Sequence, residues 1–238
     1  MKYFMAKPID MMKKVLIMAV LCVAALTAKA QEPRPVVQLL TDSGTVKIEL
    51  YNETPLHRDN FLKLVREGFY DGVLFHRVIF GFMIQTGDSL SKHAEPGKLY
   101  GDGRYETYKI PAEIRYPEIV HRRWTVAAAR EDDAKNPNRE SSMCQFYIVY
   151  GKRFNDDMLD EQQERLDKET GGTVKMTPEV REIYKKYGGT PHLDGQYTVF
   201  GEVVEGKDVV DKIQRVETDA NARPVGDIRI LKATVVEP

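Results

Sequence analysis

The sequence predicts a mainly β protein in which a closed β-barrel carries helices at its ends. Runs rich in β-branched and aromatic residues recur along most of the chain, as expected for short strands. Only two apolar helical patterns interrupt these runs as core elements, and they lie far apart in the sequence. The 238 residues, 42% hydrophobic and 30% charged, suit one globular domain with a sizeable core and exclude a disordered or polytopic membrane protein.

Composition also limits the partners and cofactors. The formal net charge of -1 offers no basic surface, so nucleic acid is not an expected partner. The two cysteines, Cys22 and Cys144, cannot form a disulfide scaffold, and no Cys/His cluster has the spacing of a zinc site. No glycine-rich loop has the phosphate-binding pattern. The sequence therefore predicts no metal and no cofactor.

Residues 1–30 have the pattern of a secretory signal peptide. A basic start precedes an apolar run over 15–26, and an Ala-x-Ala cleavage motif ends at Ala30. The apolar run is short for a permanent membrane helix, although an uncleaved anchor is the alternative. We therefore expect an exported protein, periplasmic or otherwise extracytoplasmic, with no membrane span after cleavage. The polar segment 31–35 is then a linker to a single domain over 36–238.

The first strands and the first helix follow from local patterns. Val36–Thr41 and Thr45–Leu50 are β-rich runs around a turn-forming Asp-Ser-Gly, which predicts a hairpin. Apolar and polar residues alternate along the second run, so one of its faces is buried. Thr54 and Pro55 suit the N-cap and the first turn of a helix that Gly68 ends.

The rest of the chain predicts six more strands, a second core helix and an inserted helical pair. The strands are Val73–Ile79, Phe82–Gln85, Trp124–Ala129, Gln145–Tyr150, Tyr197–Val203 and Asp227–Val236. The second core helix is Asp208–Val216. Residues 151–190 are charge-rich and typical of helices, with one helix over Asp156–Lys168 and another between Thr177 and Gly188. We interpret this segment as a helical hairpin inserted on the barrel surface. Its simplest role is a solvated face, and partner binding or groove shaping is the alternative.

The most informative stretch is 75–88. Strand alternation puts three of its side chains on one face: Phe75, Arg77 and Ile79. After a glycine break, Met83 and Gln85 share a face. An unpaired buried arginine is costly, so this mixture suggests that Arg77 points into a ligand groove lined by apolar residues. A structural salt bridge is the alternative for Arg77.

This stretch resembles the signature of the cyclophilin-type peptidyl-prolyl cis-trans isomerases, Phe-His-Arg-x-x-x-Gly-Phe-Met-x-Gln-x-Gly-Asp. Three further blocks are similar to that family in the same order: Val126–Arg130, Gln145–Ile148 and Leu193–Gly201. The similarity runs from about Val36 to Val236, and the 151–190 insertion interrupts it.

The resemblance implies an eight-stranded antiparallel barrel capped by two helices, with a surface groove for proline-containing peptides. By motif position, Arg77 is the catalytic residue. The implied pocket for the proline ring consists of Phe82, Met83, Tyr147 and Leu193. The substrate backbone is held by Gln85, by Gln145 and by the main chain around Ala129 and Arg130. Two departures from the family also face the substrate: Tyr197 replaces a common pocket histidine, and His192 stands where tryptophan is frequent.

The implied activity is rotation about X-Pro peptide bonds during the folding of exported proteins, with Arg77 stabilising the twisted amide. The expected partners are proline-containing peptides and unfolded exported proteins, and we expect a monomer without a cofactor. Two alternatives stay open, a chaperone module that binds in the groove without turnover and a barrel that binds a small molecule. The retention of Arg77 beside the groove residues favours the enzyme.

Other reactive side chains have simpler interpretations. Alternation turns His76 away from Arg77, which predicts a hydrogen-bonded structural histidine. Three more histidines are scattered singly and are predicted to lie on the surface: His57, His93 and His121. Cys144 precedes a buried strand and is predicted to be an inert, apolar side chain.

Overall fold

The structure, a computed structural model, describes residues 33–236, so the signal-peptide pattern over 1–30 lies outside the described residues. Eight strands form one sheet: β1 Val36–Thr41, β2 Gly44–Leu50, β3 Arg77–Ile79, β4 Met83–Thr86, β6 Thr125–Ala128, β8 Phe146–Val149, β9 Val199–Glu205 and β10 Ile230–Val236. The sheet is antiparallel, with the strand order β10-β1-β2-β9-β6-β8-β4-β3. A second, two-stranded sheet pairs β5 Lys109–Ile110 with β7 Ser141–Ser142.

The predicted hairpin of β1 and β2 is confirmed, with Thr41 paired to Gly44 across a two-residue turn. Gly44 has φ of +136°, and a Cβ built on it would lie 2.7 Å from a methyl of Val209. Glycine is therefore required here both by the backbone conformation and by the close approach of a helix.

Four α-helices lie within residues 33–236: α1 Pro55–Arg66, α2 Asp156–Thr170, α3 Pro178–Tyr187 and α4 Lys207–Gln214. The two predicted core helices correspond to α1 and α4, which bury Phe61 and Leu64 of α1 and Val210 and Ile213 of α4 in the main core. None of the described helices is long and apolar enough to cross a bilayer.

The prediction of a closed barrel is wrong, because the curled eight-stranded sheet is open between its edge strands β3 and β10. The predicted strand Val73–Ile79 is regular only from Arg77 onward. Leu74 gives its N–H to Ser91 Oγ (3.0 Å) and accepts at its carbonyl from Thr86 Oγ1 (2.8 Å). Toward β10 this segment makes a single isolated bridge, Leu74 to Arg229, through its neighbours: the Phe75 N–H donates to the Ile228 carbonyl (2.9 Å) and the Ile230 N–H donates to the Val73 carbonyl (2.8 Å). Because one bridge does not make a continuous ladder, the sheet is not closed.

The inserted segment forms two helices with their own apolar cluster. Asn155 caps α2 by accepting from the Met158 N–H, and Thr177 caps α3 by accepting from the Val180 N–H. The buried side chains of the cluster are Val120, Phe154, Leu159, Val180 and Tyr184. The segment 151–190 is therefore helical and packed against the rest of the domain through apolar contacts.

The first helix is capped differently from the prediction. Thr54 stands at the N-cap of α1, but its side chain caps no helical N–H. Glu113, which lies in a distant loop, accepts instead from the backbone N–H groups of Leu56 (3.1 Å) and His57 (3.0 Å). A carboxylate at this end of the helix also interacts favourably with the helix dipole.

Candidate active site

A cavity of about 290 Å³ brings together nine of the eleven predicted site residues, with Gly101 as an additional wall. The nine are Arg77, Phe82, Met83, Gln85, Ala129, Arg130, Tyr147, Leu193 and Tyr197. They come from three neighbouring strands and three connecting segments, so the cavity exists only in the folded chain.

Sheet register explains how the polar part of the cavity forms. Arg77 on β3 lies directly opposite Gln85 on β4, and Gln85 lies opposite Tyr147 on β8. Side chains at directly opposed positions share a face of an antiparallel sheet, so these three form a row across the strands. Met83, two residues before Gln85, reaches the same face.

Phe75 does not share this face, although alternation predicted that it would. It lies in the main core beside Val78, because the regular strand begins only at Arg77. The prediction that Met83 and Gln85 share a face is confirmed.

The apolar part of the cavity forms a second buried cluster. Met83 and Tyr147 are almost fully buried, and Phe82, Leu193 and Tyr197 pack against them while part of each stays exposed. A floor of this kind with exposed walls suits an apolar ring that enters from solvent.

Arg77 is the exposed charge at the mouth of this cavity. Its Nη1 donates to Gln85 Oε1 at 3.1 Å, and none of the ion pairs within residues 33–236 involves its guanidinium. The neighbouring protein atoms lower the pKa of Arg77 through desolvation, and Tyr197 opposes this effect. Because an arginine pKa starts above 12, the group stays charged at neutral pH.

A chain of hydrogen bonds holds Gln85 from behind. Its Nε2 donates to Gln145 Oε1 at 3.2 Å, and Gln145 Nε2 donates to Glu106 Oε1 at 3.0 Å. Gln145 therefore does not line the 290 Å³ cavity. It lines an adjoining cavity of about 660 Å³, to which Glu106 and Gly101 also contribute.

The predicted backbone contacts around Ala129 and Arg130 are largely occupied within the protein. Ala129 donates its N–H to the Gln145 carbonyl (2.9 Å) and accepts at its own carbonyl from the Ser142 N–H (2.8 Å). Arg130 donates through Nε to the Gln196 carbonyl, and its guanidinium lies 4.4 Å from the Tyr197 ring centroid. Its side chain thus supports the wall formed by Tyr197.

His192 lies outside the cavity lining. Its ring stacks on Phe82 with centroids 5.5 Å apart. Burial lowers the pKa of His192 to about 4, so the ring is neutral at pH 7. The residue therefore supports the pocket through Phe82.

The predictions for the other histidines need correction. His76 is buried and turned from the cavity, as predicted, but neither ring nitrogen has a hydrogen-bond partner among the described residues. His57 and His121 are buried rather than on the surface, because each contacts a carboxylate through Nδ1: Glu113 at 2.7 Å and Asp194 at 2.9 Å. His93 is exposed, as predicted.

Cys144 is buried, as predicted, and burial raises the pKa of its thiol to about 12. A thiol that stays protonated at neutral pH is a poor nucleophile.

Sequence reasoning missed three residues around the cavity. Asp88, the last residue of the 75–88 stretch, fixes Gly101 by accepting a hydrogen bond from the Gly101 backbone N–H. Glu106 ends the chain of hydrogen bonds behind Gln85. Asp194 lies within the Leu193–Gly201 block, whose match to the family was the sequence signal, and its carboxylate is buried.

Comparison with known proteins agrees with this geometry. The family model described as cyclophilin type peptidyl-prolyl cis-trans isomerase/CLD matches residues 36–235. The chain is similar to a "Probable peptidyl-prolyl cis-trans isomerase" of Brucella suis, 35% identical over 217 residues that cover 89% of this chain and 88% of the relative. It is also similar to a peptidyl-prolyl cis-trans isomerase of Arabidopsis thaliana, 30% identical over 84% of this chain and 94% of the relative.

The chain is also similar to solved structures described with the same family name. A crystal structure of a Cryptosporidium parvum cyclophilin type peptidyl-prolyl cis-trans isomerase has a TM-score of 0.59 and 25% identity, and covers 86% of this chain and 99% of that one. A structure of the same protein in the presence of the dipeptide Ala-Pro has a TM-score of 0.58 and 26% identity, and covers 85% of this chain and 99% of that one. The protein described here belongs to the cyclophilin-type peptidyl-prolyl cis-trans isomerase family.

Proposed function

We propose that the 290 Å³ cavity binds the proline ring of a peptide and that Arg77 is the catalytic residue. The observation that carries this proposal is a charged guanidinium, held by Gln85, at the mouth of a cavity with an apolar floor. The related crystal structure determined in the presence of the dipeptide Ala-Pro supports a proline-containing substrate.

The reaction requires no acid, base or nucleophile. Rotation about a peptide bond is resisted by delocalisation of the nitrogen lone pair, with a barrier of roughly 18–20 kcal/mol. In the twisted transition state the lone pair returns to the proline nitrogen, which then accepts a hydrogen bond. A donor aimed at that nitrogen binds the transition state better than the planar ground state, and therefore accelerates rotation.

The side chains around the cavity divide this task. Met83 and Tyr147 form a floor that fixes the proline ring while the preceding residue rotates. Gln85 orients Arg77 through the hydrogen bond to Nη1, and is itself oriented by Gln145. One charged hydrogen bond contributes about 1.5–3 kcal/mol, which corresponds to one to two decades of rate at about 1.36 kcal/mol per decade.

Arg77→Ala tests the assignment. We expect the exchange between cis and trans isomers of a proline tetrapeptide, followed by NMR, to slow by about 10- to 100-fold relative to the native protein. Arg77→Lys keeps the charge but lacks the planar fork, so an intermediate rate is expected. Arg66→Ala, at the exposed end of α1, is the matched control and should leave the exchange rate unchanged.

Two outcomes would contradict the proposal. If Arg77→Ala catalyses exchange as fast as the native protein, the arginine is not catalytic. If the native protein binds the peptide but does not accelerate exchange, the groove serves a chaperone without turnover.

We further propose that the enzyme acts on exported proteins outside the cytoplasm. The support is the basic, apolar and Ala-x-Ala pattern of residues 1–30. The test is N-terminal sequencing of the protein recovered from an extracytoplasmic fraction, where the chain should start at Gln31. Recovery of the uncleaved chain from the cytoplasm would refute export, and an uncleaved chain in the membrane fraction would indicate an anchor.

A further inference from the structure

The inserted helices contact the segment that forms one wall of the cavity. This segment, residues 190–197, carries Leu193 and Tyr197 of the cavity lining. Its regular structure is limited to a short 3₁₀ turn over Pro191–Leu193. A wall of this kind needs support from neighbouring elements to hold one conformation.

The first support is a hydrogen bond from α3. The Tyr184 hydroxyl donates to Asp194 Oδ2 at 2.7 Å, and both side chains are almost completely buried. The other carboxylate oxygen of Asp194 accepts from the His121 backbone N–H at 2.9 Å and contacts His121 Nδ1 at the same distance. A buried carboxylate is stable only with such donors, so Tyr184 is part of what permits Asp194 to lie there.

The carboxylate lies directly behind the cavity wall. Asp194 follows Leu193 in the chain, and the His121 backbone carbonyl accepts from the Thr190 N–H at the start of the segment. The His121 ring is nearly parallel to the Tyr147 ring, with centroids 6.3 Å apart and an angle of 11° between planes. It meets the Tyr197 ring edge-on at the same centroid distance. Movement of Asp194 would therefore disturb both tyrosines of the cavity.

A second support comes from α2 and the loop after it. Gln196 Nε2 donates to Glu169 Oε2 of α2 at 3.2 Å and to the His192 carbonyl at 2.8 Å. A Cβ on Gly195 would lie 2.4 Å from a methyl of Val174, so the loop packs directly against the segment. The insertion thus holds residues 190–197 at two separate points.

We propose that the inserted hairpin positions the proline pocket, with Tyr184 acting through Asp194 as a positioning residue for Leu193, Tyr147 and Tyr197. The inference rests on the proposed function of the cavity. A wall that is held in place before the ligand arrives loses less conformational freedom on binding, so the affinity for the proline ring is higher. Arg77 and Gln85 are hydrogen-bonded to each other, and neither is among the described hydrogen-bond partners of Tyr184 or Asp194, so the chemical step should not depend on the hairpin.

Tyr184→Phe removes only the hydroxyl and tests the proposal. We expect the dissociation constant of an Ala-Pro tetrapeptide, measured by NMR titration, to rise roughly five- to tenfold. The exchange rate at saturating peptide should stay within about twofold of the native rate, since Arg77 is untouched. In the peptide-free protein, the Leu193 methyl and Tyr197 ring resonances of Tyr184→Phe should differ from those of the native protein. Tyr187→Phe, an exposed tyrosine on the same helix, is the matched control and should change none of these readouts.

Glu169→Gln gives a second test at the other support, where the side chain is partly exposed. Like Tyr184→Phe, it should raise the dissociation constant of the peptide. The control is Glu182→Gln, at an exposed position of the same hairpin, which should leave the dissociation constant unchanged. If Tyr184→Phe lowers the melting temperature but leaves the dissociation constant and the Leu193 resonances unchanged, the hairpin is only structural and the proposal is overturned. If Tyr184→Phe does not fold, the Glu169→Gln result decides in the same way.

The two proposals fail differently. If peptide binding weakens in Tyr184→Phe while Arg77→Ala retains full activity, the proposed catalytic role fails and the positioning role stands. If Arg77→Ala loses activity while Tyr184→Phe and Glu169→Gln bind peptide normally, the positioning role fails alone.

Discussion

Glu113 stabilises the start of α1 from a loop 57 residues further along the chain. Its two oxygens accept from the N–H groups of Leu56 and His57, and Oε2 also contacts His57 Nδ1 at 2.7 Å. The carboxylate is 7% exposed and the imidazole 2%. Burial raises the pKa of Glu113, but these hydrogen bonds outweigh it, so the pKa lies below its ordinary value.

Glu113→Gln keeps the shape of this side chain but removes its charge. The amide retains one acceptor oxygen and turns an NH₂ group toward a donor, so at least one buried N–H of α1 or His57 loses its partner. Charged hydrogen bonds contribute about 1.5–3 kcal/mol, and removing one partner of a buried pair costs about 3–5 kcal/mol. We therefore expect the free energy of unfolding at pH 7 to fall by about 3 kcal/mol. In a domain of this size the melting temperature should drop by about 6–12 °C.

Calorimetry at pH 7 measures the drop, and amide hydrogen exchange at Leu56 and His57 localises it to the first turn of α1. Glu118→Gln, an exposed residue of the same loop, is the control and should melt with the native protein. Because the folded pKa of Glu113 is lowered, its contribution is complete above the ordinary glutamate pKa and is lost as the pH falls through the folded value. A loss under roughly 2 °C at pH 7, or a difference that widens toward acid pH, would refute this reasoning.

Three further predictions concern the cavity and its surroundings. Burial lowers the pKa of His76 to about 4, so the unfolded chain binds more protons than the folded one between that value and the ordinary histidine pKa. Urea unfolding should show stability falling by roughly 1 kcal/mol per pH unit as the pH drops through this window, and His76→Asn should lack that part of the slope. The buried Cys144 thiol, with its pKa raised to about 12, should resist iodoacetamide at pH 8 in the folded protein and react in urea, as read by peptide mass spectrometry. Gln85→Leu should slow peptide exchange by about three- to tenfold, since Arg77 loses its orienting acceptor while keeping its charge. An exchange rate equal to the native one would mean that Arg77 needs no such support.

Several local elements could be predicted because their causes lie within a few residues. The hairpin of β1 and β2 follows from alternation around a turn, and α1 and α4 follow from apolar stripes. The inserted helices at 156–170 and 178–187 carry their own N-caps and glycine ends. These patterns act through local backbone preference and burial, which a short window of sequence contains.

The candidate site depended on the resemblance more than on these patterns. Alternation alone placed Phe75 on the same strand face as Arg77, and this was wrong because the regular strand begins only at Arg77. The motif blocks nevertheless pointed to nine residues that line one cavity. Gln145 and His192 lie one layer behind it, where they support Gln85 and Phe82.

The sequence by itself determined the strand-rich class, the two core helices, the helical insertion and the residue set around Arg77. Only the tertiary structure decided that the sheet stays open, because the regular strand β3 begins only at Arg77 and the segment before it meets β10 in one isolated bridge rather than in a continuous ladder. It also decided that His57 and His121 are buried, since their carboxylate partners lie 56 and 73 residues away in the chain. Partners at such separations are chosen by how the whole chain packs, so no local pattern of residues specifies them.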